Sequence, residues 1–300
     1  MSELFQKKLE KQLEGLSAKT IEMYLAKLRI LNGNQPFKNL TFLKNVKVIS
    51  EKLQSITNDN TRKSYTASIV AVLNRQTDAS SKKANEKYKT MFLKERSIFS
   101  DKQALGEKSE TQKANWMDQD EINTIYKALA DKVDAIENKT KLTEKEHKLV
   151  EDWFLLSLYV MQPPRRNMDY YMMKLGNGTD KNFNYLDMDK NQYHFNNFKT
   201  AKFGVEELAI PNDMMPILKQ YVELTGLKDG DFIMFQKDSK RTSSNSITKA
   251  LNRIIGKKIG ASMLRHIYLT SKYGDVKDEE KKDSEFMSHS TSMQANYVLK

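Results

Sequence analysis

The segment NYLDMDKNQYHFNNFKTAKFGVEELAI, residues 184–210, decides the fold class, because its apolar residues alternate as they do in β-strands. Tyr193 and Phe195 lie in phase on one face, and Gly204 stands near a turn. The pattern predicts short strands at Asn184 to Asp187, Gln192 to Phe198 and Glu206 to Ile210. We therefore expect a small antiparallel β-sheet within a chain that is otherwise mainly α-helical.

Helical periodicity dominates on both sides of this segment. Apolar residues recur at helical spacing after Ser17, and again after Asn58 or Asn60. Asp118 to Glu121 and Thr143 to Glu146 resemble capping boxes, which begin helices. The predicted helices cover residues 17–31, 41–55, 61–73 and 79–103, begin near 119 and 144, and cover 212–225, 244–256, 261–273 and 279–288.

The sequence also indicates a boundary between two domains. Residues 106–115, GEKSETQKAN, have no apolar periodicity and are rich in small and charged side chains. This composition predicts an exposed linker at residues 108–115. It joins a helical domain over residues 1–107 to a larger α+β domain over residues 116–300.

Composition excludes several classes of protein. The 300 residues are 39% hydrophobic and 30% charged, which is typical of a globular chain. The absence of cysteine excludes disulfides, thiolate metal sites and a cysteine nucleophile, and fits a reducing compartment. No long apolar run is present and the first residues are charged, so we expect an intracellular protein that is neither secreted nor inserted in a membrane.

The charge is positive and uneven. The net charge is +11, and residues 1–107 hold 20 Lys and Arg against 11 Asp and Glu. This excess predicts that the first domain contacts phosphates, although a lysine-rich solvated surface would give the same count. Arg62 and Lys63 stand in the first turn of a predicted helix, where a positive charge opposes the helix dipole, so both are candidate DNA contacts.

The second domain contains the residue types needed for phosphodiester cleavage without a metal. That reaction requires an in-line nucleophile, cations on the non-bridging oxygens and an acid for the leaving oxygen. The candidates are Arg166 in PPRRNMD (163–169), Lys199 in FKTAK (198–202), Arg265 in SMLRH (262–266), His289 in MSHS (287–290) and Tyr297 in QANYV (294–298). Each alone is more often a solvated charge or a packing residue, so their order along the chain carries the argument.

That order resembles the tyrosine recombinase (phage integrase) family. The shared features are an Arg followed three residues later by an acid, a hairpin Lys, a second Arg, a His beside serine and a Tyr close behind. The resemblance covers nearly the whole chain, since Thr20 to Tyr24 and Thr61 to Leu73 are similar to helices of the family's core-binding domain. The Pro-Pro-Arg-Arg stretch, with a Ser before the second Arg, looks like integrases of virophages and related viral mobile elements.

The resemblance assigns a role to each candidate. Tyr297 is the nucleophile, and Arg166 and Arg265 bind the scissile phosphate. Lys199 is the general acid for the 5′-oxygen, and His289 donates a hydrogen bond to a phosphate oxygen. Asp169 supports Arg166 without contacting the DNA. Residues 1–107 become the core-binding domain and residues 116–300 the catalytic domain.

Some positions leave alternatives. Arg165 competes with Arg166, and Lys202 competes with Lys199. Ser262 stands where the family most often has His, and a serine cannot act as a base at neutral pH. His266 matches a His that often follows the second Arg, and we expect it to pack rather than to react.

The resemblance implies a site-specific recombinase that cuts and rejoins double-stranded DNA through a 3′-phosphotyrosyl link. It implies a homotetramer on two DNA sites and needs no cofactor, metal or nucleotide. His147 and His194 lack companions at metal-ligand spacing, and no Gly-rich phosphate loop is present. We expect the protein to work where DNA is: a host nucleus, a nucleoid or a viral factory. The alternatives are a type IB topoisomerase and a non-catalytic DNA-binding protein descended from a recombinase.

Overall fold

The computed structural model describes residues 3–104, 106–199, 204–234 and 243–287. The chain divides into two compact units, which we call unit one (Met1–Lys108) and unit two (Ser109–Lys300). Each unit has a hydrophobic core of its own. The predicted fold class, mainly α with a small β-sheet, is confirmed.

Unit one is helical throughout its described part. Its helices are α1 (Glu3–Gln12), α2 (Ala18–Leu31), α3 (Val46–Gln54), α4 (Asp59–Leu73) and α5 (Ala79–Ala104). Ser17, Asn45 and Asn58 each accept a hydrogen bond from the backbone N–H three residues later, so each satisfies a donor that the first turn would leave unpaired. The helix predicted over 41–55 is therefore divided, because Asn45 begins α3 after a 3₁₀ turn at Thr41–Lys44.

Unit two is built around one buried helix. Residues 152–159 of α8 are buried on every side, so this helix forms the centre of the core. Its capping box is confirmed, since the Thr143 hydroxyl and the Glu146 carboxylate accept each other's backbone N–H. The helices are α6 (Glu110–Asn115), α7 (Gln119–Asp134), α8 (Glu144–Val160), α9 (Asn167–Tyr171), α10 (Met214–Thr225), α11 (Ser244–Ile255) and α12 (Ala261–Phe286).

The sheet of unit two is mixed. Its strands, β1 (Met173–Leu175), β2 (Asn184–Asp187), β3 (Gln192–Phe195) and β4 (Glu206–Ala209), lie side by side in chain order. The pairs β2–β3 and β3–β4 are antiparallel as predicted, whereas β1 pairs with β2 in parallel. The three residues of β1 are too few to show an alternating pattern, which explains why the sequence did not predict this strand.

Two predicted segments differ from the structure. Residues 110–115, predicted as linker, form α6, which a capping box between Ser109 and Gln112 begins. The helices predicted at 261–273 and 279–288 are one continuous helix, α12. Gly274 does not interrupt it, because a glycine inside a helix costs only about 1 kcal/mol and no proline is nearby.

Candidate active site

Arg166 stands at the N-terminus of α9. Pro163 and Pro164 follow α8 and prevent it from continuing, so the chain runs extended before the new helix begins. Arg166 is the N-cap residue of α9 and is half-buried. Its side chain makes no capping hydrogen bond and no direct ion pair with the described residues, and its charge acts to lower the pKa of the nearby Asp169 carboxyl. The guanidinium can therefore bind an anion without breaking a salt bridge.

Arg165 is held by the protein itself. Its Nε lies 2.8 Å from Oδ2 of Asp169, its Nη2 lies 2.9 Å from Oε2 of Glu206, and its guanidinium carbon lies 3.8 Å from the centre of the Phe195 ring. The Asp169 carboxylate therefore pairs directly with the Arg165 side chain, while the charge and backbone N–H of Arg166 also act on it. Support of Arg166 by Asp169 stays a prediction. Burial raises the pKa of the Asp169 carboxyl, and the charge of Arg165 opposes that rise.

Asn167 links the start of α9 to α11. Its Oδ1 accepts a hydrogen bond from the Tyr159 hydroxyl at 2.8 Å, and its Nδ2 donates to Oγ1 of Thr248 at 2.8 Å and to the Ser244 carbonyl at 2.9 Å. Thr248 also lies against the residue that precedes α12: a Cβ placed on Gly260 would be 3.4 Å from Cγ2 of Thr248. The starts of α9 and α12 therefore approach each other around Thr248.

The first turns of α12 hold three of the predicted residues. Leu264 and Ile267 are buried in the core and fix the orientation of the helix. Arg265 is half-buried and makes no side-chain hydrogen bond or ion pair with the described residues, and Ser262 is exposed. His266 is exposed as well, so the expectation that it packs is wrong. Because Leu264 and Ile267 face the core, the His266 side chain on the same helix points to solvent.

Lys199 follows β3 on a segment that Asn184 holds. Oδ1 of Asn184 accepts hydrogen bonds from the backbone N–H groups of Asn196 and Asn197, at 2.9 and 2.8 Å. Phe198 is buried, and Lys199 is exposed. The backbone is therefore fixed up to the residue before Lys199, and the lysine side chain extends into solvent. Lys202, His289 and Tyr297 lie outside the described residues.

In unit one, the two predicted DNA contacts differ in their surroundings. Nη2 of Arg62 lies 2.5 Å from Oδ1 of Asp59, its Nη1 donates to the Ile56 carbonyl at 2.9 Å, and its Nε lies 3.5 Å from Oε1 of Glu95. These contacts bind Arg62 to other groups of unit one, and a DNA contact by this residue stays a prediction. The Lys63 ammonium lies 3.2 Å from the centre of the Phe99 ring.

Burial, and after it the positive charge of Arg96, lower the pKa of the Lys63 ammonium. A phosphate near Lys63 would offset the repulsion from Arg96. Lys63 as a DNA contact stays a prediction.

No protein family model, no curated protein and no solved structure matches the chain. The described His, Asp and Glu side chains form no group of three that could hold a metal ion. None of the described helices is both long and apolar enough to cross a lipid bilayer.

Sequence reasoning missed the two buried asparagines, Asn167 and Asn184. Their side chains connect α9 to α11 and α9 to the Lys199 segment, through hydrogen bonds to residues distant in sequence. An asparagine is usually exposed or in a turn, so nothing in one sequence distinguishes these two from the others. Only burial, which the sequence does not give, identifies them.

Proposed function

We propose that this protein is a tyrosine-type site-specific recombinase, which cuts and rejoins double-stranded DNA through Tyr297. Arg166 and Arg265 bind the scissile phosphate, and Lys199 is the general acid. Unit one supplies the basic surface that contacts the DNA backbone. A tetramer on two DNA sites, active without cofactor or metal, completes the proposal.

The proposal rests on one observation: among the described arginines of unit two, some are paired with carboxylates and others are not. Arg165 is bound to Asp169 and Glu206, and Arg253 makes two 2.6 Å contacts with Asp152. Arg166 and Arg265 have no such carboxylate among the described residues. A half-buried guanidinium that makes no direct ion pair can bind a phosphate without first breaking a salt bridge. These two arginines are the ones that the resemblance assigns to the phosphate.

In the proposed reaction, the Tyr297 oxygen forms a bond to phosphorus while the bond from phosphorus to the 5′-oxygen breaks. Ser262 can donate or accept a hydrogen bond but cannot act as a base at neutral pH, so the Tyr297 proton passes to another group or to solvent. Arg166 and Arg265 stabilise the charge that grows on the non-bridging oxygens, and Lys199 gives a proton to the 5′-oxygen. Reversal on a partner strand conserves the bond energy, which is why no nucleotide is needed.

Covalent trapping tests the proposal. A binding site is first selected from a pool of random duplexes, and a nick is then placed so that cleavage releases a short fragment and prevents rejoining. We expect an adduct to accumulate in which the protein is attached to the 3′-phosphate end of the cut strand. Relaxation of supercoiled plasmid without sequence preference would instead favour a topoisomerase, and binding without any adduct would favour a non-catalytic protein.

Changing Arg166 or Arg265 to Ala should slow adduct formation by about 100-fold or more, as expected when a preorganised donor to a developing charge is lost. Neither change should reduce stability much, because neither side chain makes a direct ion pair with the described residues. Single-turnover rates on the trapping substrate and thermal unfolding measure the two effects.

Arg165→Ala is the matched control for that pair. It should destabilise the protein by about 3 kcal/mol, because it leaves the buried Asp169 carboxylate without its cation. The assignment of Arg166 fails if Arg166→Ala cleaves normally and Arg165→Ala, still folded, does not.

DNA binding by unit one should depend steeply on salt. Lys–phosphate contacts release counterions, so affinity should fall by about a thousandfold between 50 and 200 mM salt if about six phosphates are contacted. Fluorescence anisotropy with a labelled duplex measures this. Lys83, exposed on α5, offers a further check, since Lys83→Ala should reduce the salt slope by about one if it contacts a phosphate. A flat salt response would show that the positive charge is only solvated surface.

A further inference from the structure

Asn184 is the first residue of β2 and is fully buried. Its side chain makes four hydrogen bonds, which is all that an amide group can make. Oδ1 accepts the N–H groups of Asn196 and Asn197, at 2.9 and 2.8 Å. Nδ2 donates to the carbonyls of Asp169 and Asn197, at 2.8 and 3.0 Å. One side chain therefore joins the end of α9 to the segment that follows β3.

The residues that Asn184 holds lie immediately before Lys199. Asn197 is fixed through both its N–H and its carbonyl, and Phe198 is buried with its ring centre 5.9 Å from the Arg165 guanidinium carbon. Lys199 is the first exposed residue after this fixed stretch. No described group makes a hydrogen bond or ion pair with the Lys199 side chain. Its position relative to α9, where Arg166 stands, depends on the backbone that Asn184 holds.

We propose that Asn184 is a positioning residue that holds the Lys199 backbone at a fixed distance from the α9 phosphate site. This inference rests on the proposed function, because it requires that Lys199 protonates the leaving 5′-oxygen. Asn184 touches no reacting atom. It acts by keeping Lys199 within hydrogen-bond reach of that oxygen.

Asn167 provides a matched comparison. It too is a buried asparagine with three side-chain hydrogen bonds to distant residues, but these fix the start of α9, beside Arg166, against α11. Both asparagines contribute to stability in the same way. They differ in the group that each positions: the acid for Asn184 and a phosphate contact for Asn167.

The test compares two trapping substrates, one with ordinary DNA and one in which sulfur replaces the bridging 5′-oxygen. Sulfur leaves without protonation, so a defect in the acid disappears on it, while a defect in phosphate binding stays. Asn184→Ala should cleave ordinary DNA about 100-fold slower, which is the cost of a misplacement of about 1 Å, and should recover nearly the wild-type rate on the sulfur substrate. Asn167→Ala should be slow on both substrates.

The controls separate this inference from the proposed function. If the wild-type protein forms no adduct on either substrate, the proposed function itself is wrong. If Lys199→Ala recovers on the sulfur substrate and Asn184→Ala is equally slow on both, Asn184 has no positioning role and the proposed function stands. Thermal unfolding verifies that the variants are folded. If Asn184→Ala does not fold, Asn184→Ser, whose hydroxyl can still accept one of the two N–H groups, is measured in its place with the same expected recovery.

Discussion

Replacing Tyr297 with Phe should abolish the covalent adduct and leave DNA affinity unchanged. The substitution removes only the hydroxyl oxygen, which is the atom that attacks phosphorus. The positive charge of unit one and both arginines proposed to bind the phosphate are retained, so the variant should still bind the selected duplex. Denaturing gels of the trapping reaction measure the adduct, and anisotropy measures the affinity.

Other tyrosines of unit two provide controls for the Tyr297→Phe substitution. Burial raises the pKa of the Tyr159, Tyr170 and Tyr221 hydroxyls, so these groups are neither accessible nor easily ionised. Tyr268 and Tyr273 on α12 are more accessible, and the Lys272 ammonium lies beside both rings. Tyr268→Phe and Tyr273→Phe should therefore form the adduct normally. An adduct formed by Tyr297→Phe at the wild-type rate would remove Tyr297 from the reaction.

The continuity of α12 adds a constraint that the sequence did not predict. A break between residues 273 and 279 would have allowed the chain to turn back toward Arg265. In the continuous helix, Phe286 lies about 31 Å along the axis from Arg265. The described part of the chain therefore does not turn back toward Arg265 after Gly274.

Local patterns predicted most of the fold. Capping residues such as Ser17, Asn58 and Thr143 act on their own helices, so a sequence window contains all the atoms involved. The same is true of strands β2 to β4, whose alternation is local. The parallel strand β1 could not be predicted, because its three residues are too few to show an alternating pattern.

The site was harder to predict than the fold because it depends on which groups pair. Arg165 and Arg166 are identical and adjacent, and the three-residue spacing favoured a pair between Arg166 and Asp169. The structure pairs Asp169 with Arg165 because that side chain lies on Phe195 and also reaches Glu206. Those partners come from β3 and β4, about 30 to 40 residues away in sequence.

Lys199→Ala should slow cleavage of ordinary DNA by about 100-fold to 10,000-fold, the range for loss of a positioned general acid. An alkoxide is a poor leaving group, so the 5′-oxygen must receive a proton as its bond to phosphorus breaks. Lys199 is exposed and has no described partner, which leaves its ammonium available for that transfer. The measurement is the single-turnover rate on the trapping substrate.

The sulfur-bridged substrate decides whether that loss is a loss of acid catalysis. A thiolate leaves without a proton, so Lys199→Ala should cleave this substrate almost as fast as the wild-type protein does. Arg265→Ala should be slow on both substrates, because the charge on the non-bridging oxygens is still unbalanced. Lys202→Ala should cleave both substrates nearly normally, since the resemblance gives Lys202 no part in proton transfer. If sulfur does not restore cleavage by Lys199→Ala but does restore it in Lys202→Ala, the acid is Lys202, and the fixed backbone that precedes Lys199 positions a different lysine.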